Sequence, residues 1–140
     1  MSEYIFVYGT LKRDGCNHYL LEDCEFVGRG RACGCALIDF GGYPGMIPAS
    51  IDGNQASVIG EVYSVPQVHW RPLRARLDML EKAYQDYLPV KILVHVGGRV
   101  RECLTYLYMA TVGAGNSVTG GDWGVPPLVG ETFPIANGGP

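Results

Sequence analysis

The chain has 140 residues with 47% hydrophobic and 18% charged side chains, a composition that fits one globular domain. Lys and Arg number 11 against 14 Asp and Glu, so the formal net charge of −3 gives no electrostatic reason to expect nucleic acid or an anionic membrane as a partner. The N-terminus lacks the basic and apolar segments of a signal peptide, and no apolar run approaches the roughly 20 residues that span a bilayer, so the pattern predicts a soluble, cytoplasmic protein.

The first half of the chain is rich in strand signals. A β-branched and aromatic run predicts a strand over Tyr4–Tyr8, which Gly9 ends. A loop follows, and His18–Leu21 has room for one helical turn. The segment Glu25–Ile38 is apolar and spaced by glycines, which predicts two strands or one strand broken by a bulge.

The five cysteines do not form a disulfide framework, because their number is odd and no Cys-x-x-Cys occurs. Cys33 and Cys35 are two residues apart, which places them on one face if both lie in a single strand. We expect them to be small core residues.

The second half of the chain combines one helix with three strands. Val58–Val65 predicts a strand, and Pro72 suits the first turn of a helix. Two further strands, Leu88–Val96 and Val100–Met109, are joined by the hairpin turn Gly97-Gly98. The helix carries an apolar stripe at spacings of four, three and four, formed by Leu73, Leu77, Leu80 and Tyr84.

These elements predict an α+β fold of about six strands, mainly antiparallel, in a small barrel or a strongly curled sheet with one main helix. Residues 112–140 contain eight Gly and four Pro with only two charged residues, so we expect an irregular C-terminal tail. The predicted domain therefore spans residues 1–111.

Glu81 is the first candidate for a catalytic residue. It lies at the edge of the helical stripe, whereas Asp78 and Lys82 are predicted to face solvent. A carboxylate beside a buried stripe loses hydration, which raises its pKa toward neutrality and suits proton transfer. The alternative is a carboxylate at the end of a helix that reaches water or pairs with an arginine.

The loop after the first strand is the second candidate for part of a functional site. Gly9 permits a turn that a Cβ would obstruct, so the N–H groups of residues 9–11 can converge on one anion or carbonyl oxygen. Thr10 adds a hydroxyl and Tyr8 an aromatic wall. The alternative is an ordinary turn between a strand and a loop.

Other polar residues have simpler explanations. His18, His69 and His95 lack metal-ligand spacing, and we expect no metal and no cofactor. Glu61 shares its strand face with apolar neighbours, which favours a buried ion pair over a catalytic role.

Four motifs in order, listed here, resemble the γ-glutamylcyclotransferase-like family: Tyr8-Gly9-Thr10-Leu11-Lys12, Gly42-Tyr43-Pro44, Gly60-Glu61-Val62-Tyr63 and Leu77-Asp78-Met79-Leu80-Glu81. The most similar branch contains the γ-glutamylamine cyclotransferases and AIG2-like proteins. The resemblance covers about residues 4 to 109 and implies a small mixed β-barrel with flanking helices.

The resemblance also implies site residues and an activity. Glu81 would be the catalytic acid and base, and the substrate-binding residues would be Tyr8, Gly9, Thr10, Leu11, Tyr43, Tyr87 and Tyr106. The implied reaction releases 5-oxoproline and an amine from a small γ-glutamyl-amine, without metal or cofactor. Two alternatives remain open: a cyclotransferase acting on γ-glutamyl amino acids or glutathione, and a non-catalytic domain that binds small molecules in the same cavity.

Overall fold

A computed structural model describes residues 3–39, 44–48, 57–82, 87–108 and 116–117. These residues form eight strands, a short 3₁₀ helix and one α-helix. In chain order the elements are β1 (Glu3–Val7), the 3₁₀ helix (His18–Leu21), β2 (Glu25–Cys33), β3 (Cys35–Asp39), β4 (Pro44–Pro48), β5 (Ser57–Val65), α1 (Gln67–Lys82), β6 (Tyr87–Val96), β7 (Arg99–Tyr108) and β8 (Asn116–Ser117).

Five strands close into a barrel in the order β1-β5-β2-β6-β7. Four of the neighbouring pairs are antiparallel, and β1 pairs with β7 in parallel through Ile5 and Leu104. Closure provides both edge strands of the curled sheet with partners. The predicted mixed, mainly antiparallel β-barrel is confirmed.

A second sheet of three strands, β4-β3-β8, extends from the barrel. Gly34, with φ +79°, separates β2 from β3. β8 pairs with the end of β3 at Ile38 and Asp39, so a short piece of regular structure lies in the segment expected to be irregular. Among the described residues, no helix is long and apolar enough to cross a membrane.

Strand β1 is buried on both faces because it lies between two clusters of apolar side chains. Phe6 and Tyr8 belong to the cluster that includes Val62 of β5. Ile5 and Val7 belong to the other cluster, which includes the α1 residue Leu77. The predicted stripe on the helix is therefore confirmed for Leu73 and Leu77, which are buried, and for Leu80, which packs against them; Tyr84 lies outside the described residues.

The helix begins earlier than the proline predicts. Pro72 lies inside α1, five residues after its first residue, Gln67. Proline removes one backbone hydrogen bond, the one that would reach Val68. The Val68 side chain is exposed, so this turn lies at the surface, where water can replace the missing donor.

The prediction of two small core residues is confirmed for Cys35, which belongs to a buried cluster, and is wrong for Cys33. Cys33 ends β2 and is exposed, whereas Cys35 begins β3 and is buried. The left-handed backbone at Gly34 turns the chain between them, so the period of two does not continue across it. The Glu25–Ile38 segment contains both predicted features, because it forms two strands and its first strand has a register shift between Phe26 and Gly28. The Gly97-Gly98 turn is confirmed, with φ values of +57° and +75°.

Candidate functional site

The loop after β1 folds back on itself through backbone hydrogen bonds. The Lys12 N–H donates to the Gly9 carbonyl (3.0 Å), and the Asn17 N–H donates to the Thr10 carbonyl (3.0 Å). The Asn17 side-chain amide also donates to the Thr10 hydroxyl (2.9 Å). Asn17 therefore holds Thr10 by backbone and side chain together, and Thr10 is buried.

Gly15 packs directly against this turn. A Cβ at Gly15 would lie 1.9 Å from the Thr10 carbonyl oxygen, which is far inside van der Waals contact. His18 supports the next position, since its Nδ1 donates to the Leu11 carbonyl (3.0 Å). Sequence reasoning missed Gly15, Asn17 and His18 as residues that shape the loop, and the only available signal was the Asp14-Gly15 turn pair.

Tyr8 links the loop to two other strands. Its side chain is completely buried, and its hydroxyl donates to the Tyr106 carbonyl on β7 (2.7 Å). The same hydroxyl accepts from the Met46 N–H on β4 (3.3 Å). A phenol that satisfies two backbone groups in this way fixes the start of the loop relative to both sheets.

Tyr106 continues the connection to the helix. Its hydroxyl donates to Asp78 Oδ1 (2.6 Å), and Arg74 Nε donates to the same oxygen (3.2 Å). The sequence pattern predicts that Asp78 faces solvent; its side chain is 41% exposed, but its carboxylate also accepts a hydrogen bond from the buried Tyr106. Hydrophobic periodicity cannot detect such a partner, because the tyrosine comes from a distant strand.

Tyr87 begins β6, is buried, and donates its hydroxyl to the Pro44 carbonyl (2.8 Å). Leu11, Tyr87 and Tyr106 all belong to the buried cluster that contains Leu77 of α1. The backbone of Glu81 lies in the last turn of α1, three residues beyond Asp78. The side chain of Glu81 and the whole of Tyr43 lie outside the described residues.

Glu61 forms the ion pair that the strand pattern favours. Its Oε1 accepts from the Arg13 N–H (2.8 Å) and from the Tyr63 hydroxyl (2.9 Å), and Arg13 Nε lies 3.7 Å from Oε2. Glu61 is 14% exposed, whereas the Arg13 side chain is 59% exposed. Burial, together with the hydrogen bond to Glu61, raises the pKa of the Tyr63 phenol, so this phenol stays protonated.

Comparison with known proteins agrees with this architecture. The family model described as "Gamma-glutamyl cyclotransferase, AIG2-like" matches residues 5–125. The "Putative gamma-glutamylcyclotransferase" of Vibrio cholerae is 33% identical over 124 residues, which cover 88% of this chain and 96% of that protein. Another "Putative gamma-glutamylcyclotransferase", from Methanocaldococcus jannaschii, is 30% identical over 123 residues, which cover 86% of this chain and 95% of that protein. The crystal structure of an AIG2-like protein from Mus musculus superimposes with a TM-score of 0.60 at 28% identity and covers 76% of each chain.

Proposed function

The chain belongs to the γ-glutamyl cyclotransferase, AIG2-like family, and from this premise we propose that it releases 5-oxoproline and a free amine from a small γ-glutamyl-amine. Glu81 would be the catalytic residue, and the loop Tyr8–Leu11 would bind the glutamyl group. Tyr43, Tyr87 and Tyr106 would line the remaining substrate cavity.

One observation carries the proposal: the Tyr8–Leu11 loop and helix α1 are physically coupled. Tyr8 donates to the Tyr106 carbonyl, and the Tyr106 hydroxyl donates to Asp78 of α1. Leu11 and Leu77 also share one buried cluster. Two segments about seventy positions apart thus have a fixed relationship, which a reaction that needs groups from both of them requires.

The proposed reaction is an internal acyl transfer. The α-amine of the γ-glutamyl group attacks its own γ-carbonyl carbon, a C–N bond forms to close the five-membered ring, and the bond to the leaving amine breaks. Glu81 would accept the proton of the attacking amine and deliver it to the leaving nitrogen, so no proton is gained or lost overall. Because nucleophile and electrophile share one molecule, holding the folded conformer can contribute about 7–11 kcal/mol to the lowering of the barrier.

Backbone N–H groups of the loop are suited to the developing oxyanion. Within the described part of the chain, the N–H groups of Gly9 and Leu11 have no hydrogen-bond acceptor. Each well-placed donor of this kind contributes about 3–4 kcal/mol to transition-state stabilisation in other enzymes. The bonds from Asn17 to Thr10 would hold these donors in place before substrate binds.

The leaving group is the least constrained part of the proposal. Thr10-Leu11 in the loop resembles the γ-glutamylamine branch, which favours an amine over an amino acid. A direct test incubates the protein with a panel of γ-glutamyl-amines, γ-glutamyl amino acids and glutathione, and measures 5-oxoproline by mass spectrometry. We expect release from γ-glutamyl-amines at the highest kcat/KM.

The panel also separates the alternatives. Faster release from γ-glutamyl amino acids or glutathione would assign the amino-acid branch. A rise in melting temperature with 5-oxoproline, but no turnover of any substrate, would identify a binding domain and reject the enzyme.

A further inference from the structure

A basic groove crosses the outer face of the barrel over β5, β2 and the β6–β7 hairpin. It consists of two adjoining clefts of about 500 Å³ and 260 Å³, which share Arg29 and Ile59. The cationic residues of the basic groove are Lys12, Arg13, Arg29, Arg31 and Arg99, and His95 also lines it. None of the residues assigned above to the γ-glutamyl site lines either cleft.

Strand alternation places these cations on one face. In β2, Gly30 and Ala32 are buried, so the intervening Arg29 and Arg31 project outward and are exposed. Arg31 lies opposite Ile59 on β5 and His95 on β6. The Gly97-Gly98 turn then returns the chain, so that Arg99 pairs with Val96 at the same end of β6.

The charge of the basic groove opposes that of the whole chain. Among the lining residues the sole carboxylate is Glu61, and it is already occupied by Arg13 and the Tyr63 hydroxyl. The complete sequence nevertheless carries a formal net charge of −3. Positive charge is therefore concentrated on this face, and such a patch attracts anions.

Several arginines are held in position before any ligand binds. Arg31 Nη1 donates to the Ser57 hydroxyl (2.8 Å). The Arg13 guanidinium stacks over the Phe26 ring, 4.4 Å from its centroid. A guanidinium fixed in this way loses less conformational entropy when it binds, and its fork of donors matches the oxygens of a phosphate.

We propose that the basic groove binds a small anion carrying two or three linked phosphates. Arg29 and Arg31 on β2 and Arg99 on β7 flank β6, so these strands lie roughly 10 Å apart, a separation that suits a chain of phosphates better than a single one. The lining contains no Phe, Tyr or Trp on which a nucleobase could stack, which disfavours single-stranded nucleic acid. This function goes beyond the cyclisation reaction, because none of the residues assigned to that reaction lines the basic groove.

The test is calorimetric titration of the full chain with sodium tripolyphosphate at about 150 mM salt, where exposed pairwise attractions are largely screened. We expect one saturable site. Arg31→Glu and Arg99→Glu should each weaken binding by at least about tenfold, because each replaces a phosphate donor with a repelling carboxylate. Arg76→Glu, which makes the same change in charge at an exposed position on α1, should change it by less than about twofold.

Each other outcome overturns the proposal. Equal weakening in Arg76→Glu would mean that only net charge matters, and absence of saturation would mean that there is no site. Tighter binding of tetraglutamate or of a twelve-nucleotide single strand would assign the groove to carboxylates or to nucleic acid.

Arg31→Gln repeats the test with a smaller perturbation of the fold. Release of 5-oxoproline should be unaffected in Arg31→Glu, so failure of the proposed enzyme activity and failure of the basic groove are distinguishable.

Discussion

At the scale of single residues, the Tyr8 hydroxyl connects the two sheets by hydrogen bonds. Its fully buried hydroxyl satisfies the Tyr106 carbonyl and the Met46 N–H, one on each sheet. The Tyr8→Phe variant leaves both backbone groups without this partner. We expect the free energy of unfolding to fall by about 1–3 kcal/mol, measured by urea denaturation.

A matched control for this prediction is Tyr19→Phe, which removes the same hydroxyl from an exposed side chain. It should change the free energy of unfolding by less than about 0.5 kcal/mol. Equal stability of the two variants would show that the Tyr8 hydroxyl does not connect the sheets.

Local sequence patterns predict which residues of the helix are buried, but not the contacts that they make with distant segments. The stripe on α1 predicts the buried Leu77, because helical periodicity is a local property. The bond between Asp78 and Tyr106 joins residues 28 positions apart, and nothing in the local pattern of either segment encodes it. The ion pair of Glu61 could be predicted from the sequence, because a carboxylate among apolar neighbours on a strand face needs a partner.

At the scale of elements, the loop between β1 and the 3₁₀ helix depends on Gly15. A Cβ there would meet the Thr10 carbonyl oxygen at 1.9 Å, and a backbone atom cannot move aside as a flexible side chain can. We expect Gly15→Ala to lower the free energy of unfolding by about 1–3 kcal/mol, as other overpacked sites do. It should also shift the amide NMR resonances of Thr10 and Asn17 and reduce release of 5-oxoproline.

Gly34→Ala provides the comparison for the loop. Gly34 has φ +79° and no neighbour within 4 Å of an added Cβ, so alanine there meets backbone strain but no clash. We expect a cost of about 1–2 kcal/mol with unchanged Thr10 and Asn17 resonances. Unchanged resonances in Gly15→Ala as well would contradict the role of Gly15 in shaping the loop.

Element boundaries show where local patterns stop being informative. The start of α1 lies five residues before Pro72, so this proline does not mark the first turn, and the hydrogen bond that it removes would have reached Val68 at the exposed surface. The alternation of side chains along a single strand would place Cys33 and Cys35 on one face. Gly34 instead ends one strand, and Cys35 begins another in a different sheet. The Gly97-Gly98 hairpin was predictable, because a two-residue turn between apolar runs is a short-range signal.

At the scale of the whole molecule, the fold class follows from local patterns, whereas barrel closure does not. The parallel contact between β1 and β7 joins residues near opposite ends of the chain. No local period determines which two edge strands meet. The concentration of cations in the basic groove is also invisible in the net charge of −3, because it arises only when the loop after β1, strand β2 and the β6–β7 hairpin are placed side by side.

We expect the protein to lose stability at high pH, because two of its thiols are held in the protonated form by the fold. Burial raises the pKa of the Cys103 thiol to about 12, and burial raises that of Cys24 to about 11. Below the ordinary thiol pKa of 9.0 both thiols are protonated in the folded and unfolded states. Above it the unfolded chain releases protons that the fold retains, so the free energy of unfolding should fall as the pH rises from 9.0 toward 12.

Urea denaturation across this pH interval measures the effect. Cys103→Ala should make the decline shallower, because one of the groups that titrates only after unfolding is gone. Cys33→Ala, altered at an exposed position, should keep the decline of the unaltered protein. The same slope in both variants would contradict the assignment to buried Cys103.

The central claim is that Glu81 transfers the proton in cyclisation, and release of 5-oxoproline by Glu81→Gln tests it most directly. Glutamine keeps the shape of the side chain and removes its basicity, so kcat should fall by at least about 100-fold. The melting temperature should remain close to that of the unaltered protein, and Glu102→Gln, changed at an exposed position on β7, should keep full activity. Turnover by Glu81→Gln at the rate of the unaltered protein would contradict the account.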